Sequence, residues 1–412
     1  MPWERTDVGE QRLKFVVRAA SGKERMSALC REFGVSRPTG YRWRRRFQQA
    51  GSVTAIVERS RRPEHSPAQT SSDKEERVVV LRQKHGWGAK KLEILLREEN
   101  QPLTVITINR ILKRRGLVRK KDSHTPAMQR FERGAPNELW QMDGKGPYGG
   151  NDGKNGNEGM CYPLSILDDH SRYVVGLYSL RAFTAEEIYP CMVRSFERYG
   201  VPEAMLMDRG SVWWGTNNGY GLTWLSVRMI EQGIGLHYGR VNHPQTQGKV
   251  ERFHRTLDEA LRFRGKPSQL AQWPGALEEF RIVYNEQRPH EALGMKRPAE
   301  RYRVSTRSYQ PQPKQWEYPA GSVVRKLNAK GVLDWEGEQW FVCEALAERQ
   351  VRVEEIGELL LVSFRHMYVR EIDRQERCTR ALVLPRDFGR ALRSPSGLPS
   401  SPAKVQDEEC EV

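Results

Sequence analysis

The location of its positive charge constrains this chain more than any other feature. The 412 residues hold 68 Lys and Arg against 52 Asp and Glu. Residues 1–133 hold 31 and 15 of these, so they carry the whole formal net charge of +16. The remaining residues hold 37 of each sign and are neutral. A segment that basic suits a polyanion, with nucleic acid the first candidate, whereas a merely solvated surface would mix both signs. The chain must therefore fold as at least two kinds of unit. No stretch reaches the roughly 18 uninterrupted apolar residues of a spanning helix, so no membrane partner is expected. The start, MPWERTDVGEQRLKF, lacks the apolar core of a secretory signal. Cys30, Cys161, Cys191, Cys343, Cys378 and Cys410 form no CxxC pair. That disfavours a disulfide framework or zinc ribbon and makes a reducing cytoplasm the expected location.

Within the basic third, residues 1–50 and 73–121 read as two small helical units joined by a Pro/Ser-rich linker at 51–72. In the first, Met26 to Val35 is a short amphipathic helix broken by Gly34. Ser36 is placed to cap a helix from Arg37 to about Gln49, with Pro38 in its first turn. Helix, Gly-containing turn and basic helix make a helix-turn-helix pattern, which a plain helical hairpin shares. Its second helix would present Arg37, Thr39, Arg42 and Arg45, with Tyr41, Trp43 and Phe47 partly packed. The second, winged-helix-like unit has helical stretches at 75–85, 88–99 and 104–115, the last opening on Thr104 and stopped by Gly116. Asn109, Arg110, Lys113 and Arg114 would face DNA there. A basic connector follows at 122–136.

From 137 the texture becomes α/β. Apolar strand-like runs at 138–142, 161–167, 173–180, 204–207 and 236–238 alternate with helical stretches at 185–199, 222–232, 247–264 and 269–285, which implies a mixed sheet in a core spanning 137–305. A linker at 306–320 then leads to short alternating strands at 321–375, expected to form a small antiparallel β-barrel. A Pro/Ser-rich, disordered tail is expected at 386–412. Three acids stand at ends of core elements: Asp143 and Asp208 after apolar strands, and Glu251 one turn into a long helix. A carboxylate beside apolar strands is costly unless paired or bound to metal. Hard oxygen donors of this kind suit Mg²⁺ or Mn²⁺, and two such ions can clamp the attacking and leaving oxygens of a phosphoryl transfer.

The blocks Asn137-Glu-Leu-Trp-Gln-Met-Asp143, Leu206-Met-Asp208-Arg-Gly-Ser, His243-Pro-Gln-Thr-Gln-Gly-Lys-Val-Glu251-Arg-Phe-His-Arg-Thr-Leu and Tyr284-Asn-Glu-Gln-Arg-Pro-His290 resemble the integrase-core transposases of bacterial insertion sequences, which are relatives of retroviral integrase. The resemblance spans about residues 10–375. It implies an RNase H-like core and a catalytic, metal-binding triad of Asp143, Asp208 and Glu251 holding two Mg²⁺ or Mn²⁺ ions. It also implies phosphodiester hydrolysis at the element's end, followed by attack of the freed 3′-OH on target DNA. The implied partners are double-stranded DNA, as terminal inverted repeats and target, and further copies of the chain on that DNA, in a bacterial nucleoid. Two positions depart from the family pattern. Arg209 follows the second acid where Asn is usual, and Gly144 follows the first where a larger residue is usual. Arg209 either pairs with Asp208 and competes with metal, which would suit a catalytically impaired, DNA-binding relative, or clamps a DNA phosphate.

Other residues invite rival readings. Asp168 and Asp169 lie between two strands and read as turn residues, with a role near the metals as the rival reading, and Glu186 and Glu187 favour a helix N-terminus. His237, His243 and His254 match no zinc spacing. The Gly-rich stretch 144–159 lacks the P-loop order. Trp213, Trp214 and Trp224 read as packing residues. Lys249 sits roughly 200° around the helix from Glu251, and for Lys249 and Arg252 phosphate contact and plain solvation are both open. A stand-alone ribonuclease of the same fold is disfavoured by the two basic helical units.

Overall fold

The computed structural model describes residues 8–57, 70–118, 132–149, 160–215, 221–239 and 248–386. The chain divides into two compact units, Met1–Ser71 and Ser72–Val412.

The first unit is three helices, α1 (Val8–Ser21), α2 (Met26–Glu32) and α3 (Arg37–Ala50). Phe15, Val16 and Ala19 of α1 pack on Leu29, Cys30 and Trp43. A Cβ on Gly40 of α3 would meet Cys30 Sγ at 2.6 Å and Phe15 Cζ at 2.9 Å, so the missing side chain is what lets α3 lie this close. Ser36 caps α3 as expected, its Oγ accepting from Thr39 N. Helix α1 is an addition to the sequence reading, and Tyr41, expected to be partly packed, is exposed. Part of the presumed linker is ordered as a 3₁₀ turn, Val53–Ile56, tied by Arg46 Nη2 donating to Val57 O at 3.1 Å.

The second unit begins with α4 (Ser72–His85), α5 (Ala89–Glu98) and α6 (Val105–Arg114) around Val78, Leu81, Leu92, Leu96, Ile108 and Ile111. Thr104 caps α6. Among the described residues these helices carry no wing strands; the connector residues 119–131 lie outside them. Salt bridges Lys90–Glu291 at 3.0 Å and Arg297–Glu98 at 2.6 Å tie α5 to the segment around residues 291–297.

Strands β1 (Trp140–Gly144), β2 (Tyr162–Asp168), β3 (Val174–Leu180), β4 (Ala204–Met207) and β7 (Gly235–Tyr238) form the central sheet, in the order β3-β2-β1-β4-β7. The first three strands are antiparallel, while β1–β4 and β4–β7 are parallel. Between them run α7 (Ala185–Tyr199), a short pairing of β5 (Trp214–Gly215) with β6 (Gly221–Leu222), and α8 (Trp224–Glu231). The helix expected over 222–232 starts only at Trp224, because Thr223 caps it and Leu222 is drawn into β6. Helices α9 (Gly248–Arg264) and α10 (Trp273–Ile282), the latter running into a π-turn at Val283–Gln287, come after β7. Strand alternation sorts the two faces. Trp140, Met142, Leu164 and Ile166 enter the core shared with α7 and α8. Leu167, Val174 and Leu177 pack on Phe253, Leu257, Trp273 and Phe280 of α9 and α10. This is the mixed sheet with helices on both faces that the sequence implies for residues 137–305.

The presumed linker at 306–320 is in part a strap fixed to that core. After a single helical turn, α11 (Pro298–Arg301), Arg307 donates to the carbonyls of Gln232 at 3.0 Å and Gly233 at 2.7 Å, and its own carbonyl accepts from Val201 N at 2.8 Å.

Beyond the strap the expected barrel is not found. Strands β8 (Val323–Lys326), β11 (Gln350–Ile356), β12 (Leu359–Phe364), β13 (Met367–Asp373) and β14 (Cys378–Pro385) form an open sheet in the order β14-β13-β12-β11-β8, and β9 (Val332–Trp335) pairs with β10 (Glu338–Phe341) as a separate hairpin. Closure fails because β14, a strand outside the expected 321–375 range, lies against β6 and β7 of the central core instead of meeting β8. The tail from 387 lies outside the described residues.

Candidate active site and nucleic-acid-facing helices

Trp140 and Met142 point into the α7/α8 core, so alternation sends Gln141 and Asp143 to the α9 face of β1. Asp143 stands opposite Ser165 of β2, and His254 of α9 reaches both. Its Nε2 lies 2.9 Å from Ser165 Oγ and its Nδ1 3.7 Å from Asp143 Oδ2. Burial pushes His254 down to about 4, so the ring is neutral near pH 7. Asp208 follows β4, which pairs in parallel with β1, and Gly210 N donates to its Oδ1 at 3.0 Å. Glu251 is exposed in the first turn of α9.

Asp143 is pushed up to about 7, first by burial and then by the negative charges of Asp208 and Glu251. The three acids therefore share one electrostatic neighbourhood although distant segments carry them. No three His, Cys, Asp or Glu side chains among the described residues are drawn into a metal-ligating cluster.

Both departures from the family pattern have a structural counterpart. A Cβ on Gly144 would fall 2.3 Å from Phe183 Cε2 and 2.4 Å from its Cζ, so the phenyl ring fills the space a larger residue would take. Arg209 lies over the Trp214 ring at 5.1 Å, and among the described residues no ion pair joins it to Asp208. Trp213 is buried, as expected, whereas Trp224 is 45% exposed.

The pair Asp168-Asp169 holds more than a turn. Asp168 Oδ2 accepts from Ser171 N at 2.8 Å, the expected turn bond. Asp169 is fully buried and ion-paired to Lys249, Nζ–Oδ2 2.5 Å. Lys249, a candidate phosphate contact, is thus turned inward with 11% of its side chain exposed. Arg252 is exposed, and His243 lies outside the described residues. Sequence reasoning missed Asp169, Gln141 and Lys249 as a set. One signal was available: Lys249 stands on the apolar stripe of α9 with Phe253 and Leu257, at four-residue spacing.

On the helical units, Arg37, Arg42 and Arg45 of α3 are exposed, while Thr39 is half-buried with its hydroxyl 2.9 Å from Ser36 Oγ. Asn109, Arg110 and Lys113 of α6 are exposed. Arg114 is exposed as well, with its guanidinium 2.6 Å from the Oε1 of buried Glu75. Among the described residues no helix is long and apolar enough to cross a membrane.

Three family models match: an integrase core domain over residues 232–298, a helix-turn-helix domain over 11–64 and a homeodomain-like domain over 39–112. The chain is 24% identical over 289 residues to the insertion element IS407 uncharacterized 31.7 kDa protein of Burkholderia multivorans, covering 67% of this chain and 93% of that protein. It is 22% identical over 268 residues to the transposase for transposon Tn552 of Staphylococcus aureus, covering 58% of this chain and 53% of that protein. Among solved structures it is similar to the HTLV-2 integrase catalytic core domain in complex with magnesium, with 16% identity, TM-score 0.30, and coverage of 40% of this chain and 97% of that one. It is also similar to a chain of the simian T-cell lymphotropic virus intasome in complex with PP2A regulatory subunit B56 gamma, with 13% identity, TM-score 0.38, and coverage of 75% and 96%. An integrase core preceded by helix-turn-helix units defines the class. Within it, the chain is similar to an insertion-element protein and to a transposon's transposase.

Proposed function

We propose that the chain is a DNA transposase that binds the terminal repeats of an insertion sequence and carries out metal-dependent phosphodiester hydrolysis and strand transfer through Asp143, Asp208 and Glu251. The observation that carries this reading is that Asp143 near the end of β1 and Asp208 just after β4 stand on neighbouring paired strands, with Glu251 adding further negative charge toward half-buried Asp143. Such an arrangement is costly unless a cation offsets it. The donor set, three hard carboxylates, fits Mg²⁺ or Mn²⁺, and these three residues would hold two such ions. Bound there, the ions would activate the attacking oxygen and stabilise the leaving one. The chain's own groups prepare that site. The neutral His254 ring, held by Ser165, stands 3.7 Å from the Asp143 carboxylate, and Gly210 N fixes one oxygen of Asp208.

The exposed Arg37, Arg42 and Arg45 on α3, and Asn109, Arg110 and Lys113 on α6, are the proposed DNA contacts, the arginines and the lysine as phosphate or guanine partners. Action on two element ends and a target calls for more than one copy of the chain on the DNA. The alternative, an impaired relative that only binds ends, drew its support from Arg209 opposing Asp208; Arg209 stands over Trp214 instead. The test is cleavage and strand transfer on duplexes carrying the flanking element's ends, with Mg²⁺. Asp143→Asn, Asp208→Asn and Glu251→Gln are each expected to abolish cleavage and leave end binding intact. A natural chain that binds the ends but never nicks them refutes the enzyme and favours the binding reading.

A further inference from the structure

Asp169 is riveted to the strand that carries Asp143. Its main-chain N donates to Leu139 O at 2.9 Å, and its Oδ1 accepts from Gln141 Nε2 at 2.8 Å, Gln141 being two residues before Asp143 on the same face of β1. Arg133 N donates to its Oδ2 at 2.9 Å. The carboxylate is fully buried. From α9 comes Lys249, whose Nζ donates to Asp169 O at 3.0 Å and pairs with Oδ2 at 2.5 Å. Lys249 and Glu251 lie on nearly opposite sides of α9. Anchoring the helix through Lys249 therefore fixes where Glu251 stands on its outer side.

We infer that the Lys249–Asp169–Gln141 chain is a buried strut that sets the spacing between Glu251 and Asp143, making Lys249 and Asp169 positioning residues of the metal site. The inference rests on the reading of those acids as metal ligands. A buried charge pair is a poor way to gain stability, because desolvation offsets most of its attraction, while an apolar pair of similar volume does as well. What it supplies is direction: a short, charge-assisted bond with one allowed geometry, in a place where an apolar contact would slide. Partners behind a ligand commonly alter metal affinity ten- to a hundredfold.

The test is Mn²⁺ binding to the full chain without DNA, read from the free-ion electron paramagnetic resonance signal. Lys249→Met combined with Asp169→Asn removes both buried charges together and avoids leaving one unpaired. The expected result is a folded protein with a thermal midpoint near that of the natural chain, Mn²⁺ affinity at least about tenfold weaker, and a matching rise in the Mg²⁺ needed for half-maximal cleavage. Natural affinity in the folded double variant overturns the strut. Should that variant fail to fold, Gln141→Met removes the side-chain link to β1, leaves the main-chain bond to Leu139, and is expected to weaken Mn²⁺ binding severalfold; unchanged binding overturns the Lys249–Asp169–Gln141 strut equally. A natural chain that takes up no Mn²⁺ overturns the metal-site reading and the strut with it, and is told apart because it fails before any variant is compared.

Discussion

Gly144→Ala is a one-carbon change beside the first acid, and its cost can be worked from the site. The added methyl would sit 2.3–2.4 Å from two carbons of the Phe183 ring, where relaxed carbon contacts are about 3.5–4 Å, so the ring must retreat by more than about 1 Å. Phe183 is half-buried and meets Trp213 edge-on, centroids 5.8 Å apart at 81°. Overpacking of this kind costs about 1–3 kcal/mol, and loosening the aromatic contact contributes about 0.5–1.5 kcal/mol of it. Because one side of the ring faces solvent and can yield, we expect about 1–2 kcal/mol in all. The assay is a double-mutant cycle by urea unfolding, with Gly144→Ala measured in the natural background and in Phe183→Ala. The obstruction is absent in the second background, so the penalty should fall to near zero, giving a coupling of about 1 kcal/mol or more. An equal penalty in both backgrounds would refute the reasoning.

Arg209→Asn should leave the Mg²⁺ requirement of cleavage unchanged, since the guanidinium stands over Trp214 and not on Asp208; a lower requirement in the variant would restore the competition argument. Replacing Arg42 and Arg45 together by Ala should flatten the slope of log K against log[salt] for end binding by about 2, roughly one for each phosphate no longer neutralised; an unchanged slope would remove α3 from the DNA. Ser36→Ala removes the cap of α3 and should cost the N-terminal unit about 1 kcal/mol in thermal or denaturant unfolding. Burial, with Arg288, Lys91 and Arg172 nearby, pushes His290 down to about 2. The unfolded chain therefore takes up a proton below pH about 6.5 that the folded one refuses. Its contribution is nil above pH 7 and should cost up to about 1.4 kcal/mol per pH unit as pH falls from about 6.5 toward about 2. His290→Phe should reduce that slope of urea midpoint against pH, and an identical slope would refute it.

The order of core elements was legible because most strands are apolar runs closed by an acid or Gly, as in Ala204–Met207 before Asp208, and because Ala185–Tyr199 keeps a helical period. Caps such as Ser36 and Thr104 marked helix starts through local chemistry alone. Three things were hidden. The strand Cys378–Pro385 comes after a charged turn and is only half-buried, so its pattern is weak. The strap at Arg307 depends on carbonyls of Pro202, Gln232 and Gly233, all far away in sequence. Asp169 and Lys249 are 80 positions apart, and a turn explains Asp169 well enough that nothing local demands a partner. The departures at Gly144 and Arg209 were visible in sequence, but the groups that fill or face them, Phe183 and Trp214, were not.

Residues of the C-terminal sheet and its hairpin, among them Val353, Leu360, Leu333 and Trp335, belong to the same apolar cluster as Leu222, Leu225 and Met229 of the central core. Cys343 Sγ even donates to Leu222 O at 3.4 Å. In evolutionary terms this makes the C-terminal portion a poor candidate for exchange between related chains. A recombination joint placed in the chain between the two would leave each parent's half facing a surface it never matched, with tryptophans and leucines unsheltered. Heritable shuffling should therefore respect a larger block, with sheet, strap and hairpin travelling together, while the helical unit before residue 72 has its own core and remains free to change hosts.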